Sequence, residues 1–177
     1  MTSRNEALRA VQTVLDYLEE RYDTSFGAEV YSHTPDRWVT FLEAATQGMG
    51  EPEPSSVRFE LERGGLVSLS EVTFYSLCEH HLLPFFGVVS IDYQPADCVV
   101  GLSALVHIIE RHARRLQLQE RMTRDIADDV SLITGSKDVR VCVVAEHMCM
   151  SMRGVSKPGT QVTTRVALSD VEAGGSR

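Results

Sequence analysis

The order in which the hydrophobic periodicity changes along the chain most constrains its fold. Hydrophobic residues recur with a period of two over residues 89–93, 139–145 and 162–168, which is the spacing of strands with one buried face. Between the first two of these segments, residues 105–116 and 122–133 have the spacing of amphipathic helices. The sequence therefore predicts β strands that enclose a helix pair, in one α+β domain.

The N-terminal part of the chain is predicted to be helical. Ser3 and Glu6 have the Ser-x-x-Glu form of a capping box, and the residues that follow have helical spacing. A second helix is expected to begin at Thr34 and Pro35, with threonine as the cap and proline in the first turn. Four residues are expected to be buried by that helix: Trp38, Phe41, Leu42 and Ala45.

A linker separates this helical part from the rest of the chain. Residues 48–56 are rich in glycine, proline and serine, and Val57, Phe59 and Leu61 then alternate as a half-buried strand would. We therefore expect an N-terminal helical arm over residues 1–50 and a core over residues 51–177, and we expect the tail after residue 171 to be loose.

Composition and charge exclude several classes of protein. The hydrophobic content of 43% is typical of globular proteins, and no apolar run approaches the roughly 20 residues that span a bilayer. A net charge of −8 disfavours a broad nucleic-acid surface, although it allows a local basic pocket for an anionic small molecule. The N-terminal residues lack the apolar stretch of a secretory signal, so we expect a cytoplasmic protein without nucleic-acid or membrane partners.

Two clusters of cysteine and histidine carry the chemistry. Cys78 and His81, in Cys78-Glu-His-His81, are spaced so that their side chains converge across a turn, and strand alternation is expected to place His147 and Cys149 on one side. Zinc bound by Cys78, His81 and Cys149 would leave His80 and His147 for proton transfer, as in a catalytic site. A closed structural zinc site is the alternative.

The other two cysteines differ from these clusters. Cys98 and Cys142 have no ligand-like neighbours, and Cys142 lies within a predicted strand. We therefore expect both thiols to serve in packing, as buried free cysteines commonly do.

Several motifs resemble those of the GTP cyclohydrolase I family. They are Thr-Pro-Asp-Arg at residues 34–37, Cys-Glu-His-His-Leu-Leu-Pro at 78–84, Gly-Leu-Ser at 101–103, Leu-Gln-Leu-Gln-Glu-Arg at 116–121 and His-Met-Cys-Met-Ser-Met-Arg-Gly at 147–154. The resemblance implies a tunnelling fold (T-fold), with an antiparallel sheet and paired helices, assembled into a homodecamer with sites between subunits.

The resemblance also implies a reaction. Cys78, His81 and Cys149 match the family's zinc ligands, and His80 and His147 match its catalytic histidines. Zinc would provide a water nucleophile for C8 of the guanine of GTP, and His147 would protonate the imidazole nitrogen. Hydrolysis would release formate and lead to dihydroneopterin triphosphate.

Five further residues match positions that bind the substrate. Their roles follow from the resemblance alone, since isolated residues of these types are common on protein surfaces. Gln119 and Glu120 match the pair that reads guanine, Ser103 matches a residue near the ribose, and Arg37 and Arg153 match residues that grip the triphosphate.

The chain departs from the family at the triphosphate pocket. After Gly-Leu-Ser the family usually carries a lysine and, three positions later, an arginine, but here these positions hold Ala104 and His107. Histidine is mostly uncharged at neutral pH, so two phosphate-binding cations are missing, and Arg111 and Lys157 are candidate replacements. Residues 23–33 also depart from the family pattern. The alternatives are a diverged paralogue that acts on a less phosphorylated or modified guanine nucleotide, or a non-catalytic zinc-binding protein.

Overall fold

The computed structural model describes residues 3–60 and 64–169, which form two compact units that divide between Ala45 and Thr46. The N-terminal unit consists of helices α1 (Arg4–Tyr22) and α2 (Ala28–Ala45). The predicted capping box at the start of α1 is confirmed: the Ser3 hydroxyl accepts a hydrogen bond from the Glu6 amide, and the Ser3 amide donates to Glu6 Oε2 at 2.6 Å.

Helix α2 differs from the prediction at its start and in its buried face. It begins at Ala28, so Pro35 lies inside the helix, where its ring nitrogen cannot donate the usual hydrogen bond. Pro35 and Val39, one helical turn apart, are the buried residues of this helix. Trp38 and Phe41 are 43% and 38% exposed, so the prediction that they are buried was wrong.

The C-terminal unit is built on a five-stranded sheet. A 3₁₀ turn (Gln47–Gly50) precedes it. Its elements are β1 (Arg58–Glu60), β2 (Val67–Cys78), β3 (Pro84–Tyr93), β4 (Cys98–Val100), α3 (Leu102–Ala113), β5 (Leu116–Gln117), α4 (Gln119–Thr134), β6 (Val139–His147), α5 (Met148–Ser151) and β7 (Gln161–Leu168). The strand order is β5-β2-β3-β6-β7, antiparallel except for the β2 and β5 pair, while β1 and β4 form a separate ribbon.

Helices α3 and α4 pack on one face of this sheet. Their periodic apolar residues are buried against alternate residues of the central strands, which confirms the predicted helix pair and the α+β class. The fully buried residues of this layer include Leu105, Ile108, Ile109, Met122, Ile126, Val130, Val89, Ile91 and Val143. In the described part of the chain, no helix has both the length and the apolar character of a membrane span.

Two sequence-based expectations about individual segments were wrong. Leu116 belongs to β5, because α3 ends at Ala113. Strand β1 is exposed along its length, with Phe59 54% accessible, rather than half-buried; Leu61 and the tail after residue 171 lie outside the described residues.

Strand β2 carried no prediction. A bulge between Leu69 and Val72, with Glu71 at a φ of 55°, shifts its hydrophobic phase, so a single alternation does not run through it.

Candidate active site

Three potential metal ligands converge where β2 ends and β6 passes into α5. Cys78 is the last residue of β2, and its carbonyl accepts hydrogen bonds from the amides of His81 and Leu82, which closes a tight turn. Cys78 Sγ and His81 Nδ1 are 3.6 Å apart, and the ligand atoms of Cys78, His81 and Cys149 all lie within 4.8 Å of one another. These residues form a group that could hold a metal ion.

The geometry of this group suits zinc. Bond lengths of about 2.3 Å to sulfur and about 2.05 Å to nitrogen at a tetrahedral angle require a sulfur-to-nitrogen distance of about 3.6 Å. The separation of Cys78 Sγ and His81 Nδ1 has this value. Burial, together with the adjacent Cys78, raises the pKa of the Cys149 thiol, because two thiolates without a cation would repel each other. Two thiols and one imidazole are a donor set that zinc prefers.

The position of Cys149 has a different cause from the one predicted. Strand β6 ends at His147, and Cys149 lies on the short helix α5, so strand alternation does not place it beside His147. The helical turn brings the Cys149 thiol to the other ligands.

His147 is held between an aromatic ring and an amide. The Phe85 ring stacks on the imidazole with a centroid distance of 4.6 Å and an interplanar angle of 1°. Phe85 and His147 are paired residues on β3 and β6, so the sheet register fixes this contact. Burial lowers the pKa of His147, although the nearby charge of Glu120 opposes this effect, so the imidazole is neutral at neutral pH.

The side chain of Gln119 determines which nitrogen of His147 carries the proton. Gln119 Nε2 lies 3.1 Å and 3.0 Å from the carbonyl oxygens of Val143 and Val162, which can only accept, and 3.2 Å from Thr164 Oγ1. Gln119 Oε1 therefore faces His147 Nε2, at 2.7 Å, and must accept from it. The neutral imidazole carries its proton on Nε2 and leaves Nδ1 as the unprotonated nitrogen.

A threonine pair supports the same assignment. Thr123 Oγ1 donates its hydrogen to the backbone carbonyl oxygen of Gln119 at 2.7 Å. In the 2.6 Å contact between the two threonine hydroxyl groups, Thr164 is therefore the donor and Thr123 the acceptor. Thr164 Oγ1 is then an acceptor for Gln119 Nε2. Gln119 is only 2% exposed, and all of its side-chain polar atoms are engaged with protein groups.

The other residues predicted for the site are more accessible. His80 is exposed in the turn after β2, with its ring centroid 6.2 Å from that of His81. Glu120, next to Gln119 in the first turn of α4, is exposed, and Ser103 is exposed in the first turn of α3. Arg153 is exposed, and its positive charge acts on the Cys149 thiol, whereas Arg37 is an exposed residue of α2 in the N-terminal unit.

The two candidate replacement cations differ in their surroundings. Arg111 Nη1 donates to Asp129 Oδ2 at 2.7 Å, and both side chains are more than four-fifths buried. Arg111 is therefore committed to an internal ion pair. Lys157 is exposed, as is His107, and Ala104 is half-buried.

Sequence reasoning missed the residues that hold His147 in place. Thr164 lies within the alternating pattern of residues 162–168, and a polar residue on the more buried face of that strand is the signal that could have identified it. Phe85 directly follows the Cys-Glu-His-His-Leu-Leu-Pro motif, but its contact with His147 depends on strand register, which no local pattern gives.

A mainly antiparallel sheet that is covered on one face by a helix pair has the arrangement of the T-fold class. The solved apo structure of the archaeosine synthase QueF-Like is similar, with a TM-score of 0.51 over 63% of this chain and 100% of that chain. The sequences are 19% identical, so this likeness concerns the fold alone. It confirms the predicted fold class.

Sequence comparisons give the family. The GTP cyclohydrolase I family profile matches residues 7–175. GTP cyclohydrolase 1 of Hyperthermus butylicus is 42% identical over 158 residues, covering 89% of this chain and 79% of that protein. GTP cyclohydrolase 1 of Clostridium perfringens is 39% identical over 166 residues, covering 93% and 88%. The chain belongs to the GTP cyclohydrolase I family. This confirms the family that the motifs indicated and the prediction of a hydrolase similar to GTP cyclohydrolase I.

Proposed function

We propose that the chain is a zinc-dependent GTP cyclohydrolase that opens the guanine imidazole ring at C8, releases formate and forms dihydroneopterin triphosphate. Family membership and the relatives named GTP cyclohydrolase 1 support the reaction. The observation that carries the proposal is the group of Cys78, His81 and Cys149, with its ligand atoms within 4.8 Å of one another. Bound there, zinc would supply a water with a pKa near 7 as a nucleophile at neutral pH.

His147 is proposed as the residue that moves protons to and from the guanine ring. Because its Nε2–H is donated to Gln119, Nδ1 is the nitrogen that can exchange a proton with substrate. The stacked Phe85 ring restricts rotation of the imidazole, so the unprotonated nitrogen keeps one orientation. His80, exposed beside the metal ligand His81, is proposed as the second catalytic histidine.

Substrate recognition is divided among the remaining residues. The exposed carboxylate of Glu120 is suited to accept hydrogen bonds from guanine N–H groups, and its charge already acts on His147. Gln119 has its side-chain atoms engaged by protein groups, so its contribution passes through His147. Ser103 is proposed near the ribose, and Arg37 and Arg153 are proposed on the triphosphate.

The test is a substrate panel with a metal control. Purified zinc-loaded protein is incubated with GTP, GDP, GMP and guanosine, and formate and pterin fluorescence are measured. We expect GTP to give one formate per pterin, and Cys149→Ala, which lacks one ligand, to give neither. Absence of formate from every guanine compound would overturn the proposal and favour a non-catalytic zinc-binding protein.

A second candidate differs only in the phosphate state of the substrate. Ala104 and His107 stand where the family usually has cations, and Arg111 is held by Asp129. These observations favour a diverged paralogue that acts on a less phosphorylated or modified guanine nucleotide. In the same panel, a higher kcat/KM with GMP or guanosine than with GTP would identify it.

A homodecamer in the cytoplasm is proposed from the resemblance to the family. Closed symmetric assemblies are the usual form of homo-oligomers, and ten chains of 19.7 kDa would give a particle of about 197 kDa. Light scattering coupled to size-exclusion chromatography measures this mass directly. A monomeric mass together with full activity would show that a single chain holds the complete site.

A further inference from the structure

One carboxylate, Glu146, lies directly before His147 but takes no part in the chemistry described above. Neighbouring residues on a strand face opposite sides of a sheet, so Glu146 points away from the side occupied by His147 and Gln119. Its Oε1 accepts a hydrogen bond from Ser151 Oγ at 2.5 Å and another from the amide of Gly159 at 2.9 Å. A single oxygen therefore joins the end of α5 to the far end of the following loop.

That loop, residues 152–160, contains two cations and no acidic residue in a chain of net charge −8. Its cations are Arg153 and Lys157, and both are exposed. The amide of Lys157 donates to the Met150 carbonyl at 3.0 Å, and the charge of Arg153 acts on the Cys149 thiol. The loop is thus folded back on the helix that carries a metal ligand.

The backbone of the loop needs an external restraint. Gly154 and Gly159 have φ values of 63° and 76°, which glycine adopts freely. Ser156 has a φ of 48°, a left-handed conformation that residues with a Cβ atom disfavour. A conformation of this kind persists when the surrounding contacts determine it. The hydrogen bonds to Glu146 from Ser151, just before the loop, and from Gly159, near its end, provide such contacts together with the backbone bond from Lys157 to Met150.

We propose that Glu146 is a positioning residue that holds the 152–160 loop in place and so presents Arg153 and Lys157 to the phosphates of the substrate. The identity of the ligand, the phosphates of GTP, rests on the proposed function, whereas the restraint of the loop rests on the hydrogen bonds of Glu146 with Ser151 and Gly159. The hydrogen bonds from Ser151, and then from Gly159, lower the pKa of Glu146, so the carboxylate is charged at neutral pH. Because the loop would contact phosphate and not the reacting ring, Glu146 acts on substrate affinity.

The test compares Glu146→Ala with Glu146→Gln in the full-length, zinc-loaded protein. If alanine leaves the loop in its binding conformation about a tenth of the time, KM for GTP rises about tenfold while kcat is retained. Glutamine restores the wild-type KM, because its amide oxygen can accept both hydrogen bonds. Hydrogen exchange in residues 152–160 becomes faster in the alanine variant only, and zinc per chain stays at the wild-type value in both.

Two further measurements separate this inference from the proposed function. The KM for guanosine, which has no phosphate, should be the same in all three proteins. The affinity for inorganic tripolyphosphate, measured by calorimetry, should fall about tenfold in Glu146→Ala even if no guanine compound is turned over. An unchanged tripolyphosphate affinity, unchanged loop exchange, or loss of zinc from the alanine variant would each overturn the role assigned to Glu146.

Discussion

Replacing Gln119 by leucine tests whether this residue positions His147 or reads the substrate. The substitution keeps the approximate size of the side chain and removes its amide, which bonds to His147 Nε2, to two strand carbonyls and to Thr164. At about 1 kcal/mol net for each hydrogen bond, the free energy of unfolding should fall by about 2–4 kcal/mol. The His147 imidazole would lose the acceptor that fixes its tautomer.

Gln117 provides a matched control. It is also 2% exposed, and its amide bonds to the His112 carbonyl, the Leu118 amide and the Arg121 guanidinium, without contact to His147. Gln117→Leu should therefore lose a similar amount of stability, measured by urea unfolding. Only Gln119→Leu should lose activity as well.

The activity loss should be in kcat. Displacement of a catalytic group by about 1 Å can cost about 100-fold in rate, so we expect kcat of Gln119→Leu to fall about 100-fold with KM little changed. The measurement is steady-state formate release with GTP at a temperature where both variants are folded. A raised KM with kcat retained would show that Gln119 contacts guanine directly, and equal kcat losses in both variants would refute the positioning argument.

Three further predictions concern stability and metal binding. Asp129→Ala removes the carboxylate that pairs with the largely buried Arg111 and His112, and leaves His112 only its longer 3.7 Å contact with Asp125. It should cost about 3–5 kcal/mol in urea unfolding, whereas Asp128→Ala, exposed on the same helix, should cost little. A similar loss in both variants would contradict the ion-pair argument. Burial opposes ionisation of Asp129, but hydrogen bonds and charges from His112 and Arg111 outweigh it and lower the pKa of this carboxyl group in the folded protein. The stabilisation is therefore fully present above the pKa of Asp129 in the unfolded chain, and it is lost as the pH falls through the lower pKa of the folded state. Cys149→Ala should contain much less zinc per chain than the wild type by elemental analysis, and an unchanged zinc content would show that the metal is bound elsewhere. Gly87→Ala should fail to fold, because its Cβ would lie 1.9 Å from the carbonyl oxygen of Val144 on the neighbouring strand. Gly50→Ala is the control: its Cβ would meet open space, so this variant should have the melting temperature of the wild type by circular dichroism.

The local sequence was sufficient for features that depend on neighbouring residues. The capping box at Ser3, the helix pair and the alternation of β3, β6 and β7 are short-range patterns, and the structure contains each of them. The candidate metal ligands could also be identified from the sequence, because Cys78 and His81 lie within one turn and only a few residue types bind zinc. The predicted start of α2 failed because the helix continues through Pro35, and β2 was not predicted because its bulge interrupts the alternation.

The arrangement around His147 was decided by the tertiary structure alone. Strand register stacks Phe85 on the imidazole, and the packing of α4 on the sheet brings the Gln119 amide to it. The sequence by itself determined which residue types are available for metal binding and proton transfer, because that chemistry belongs to the side chains. It could not determine which nitrogen of His147 is free, because the answer depends on strand carbonyls that are distant in sequence and meet Gln119 only in the folded sheet.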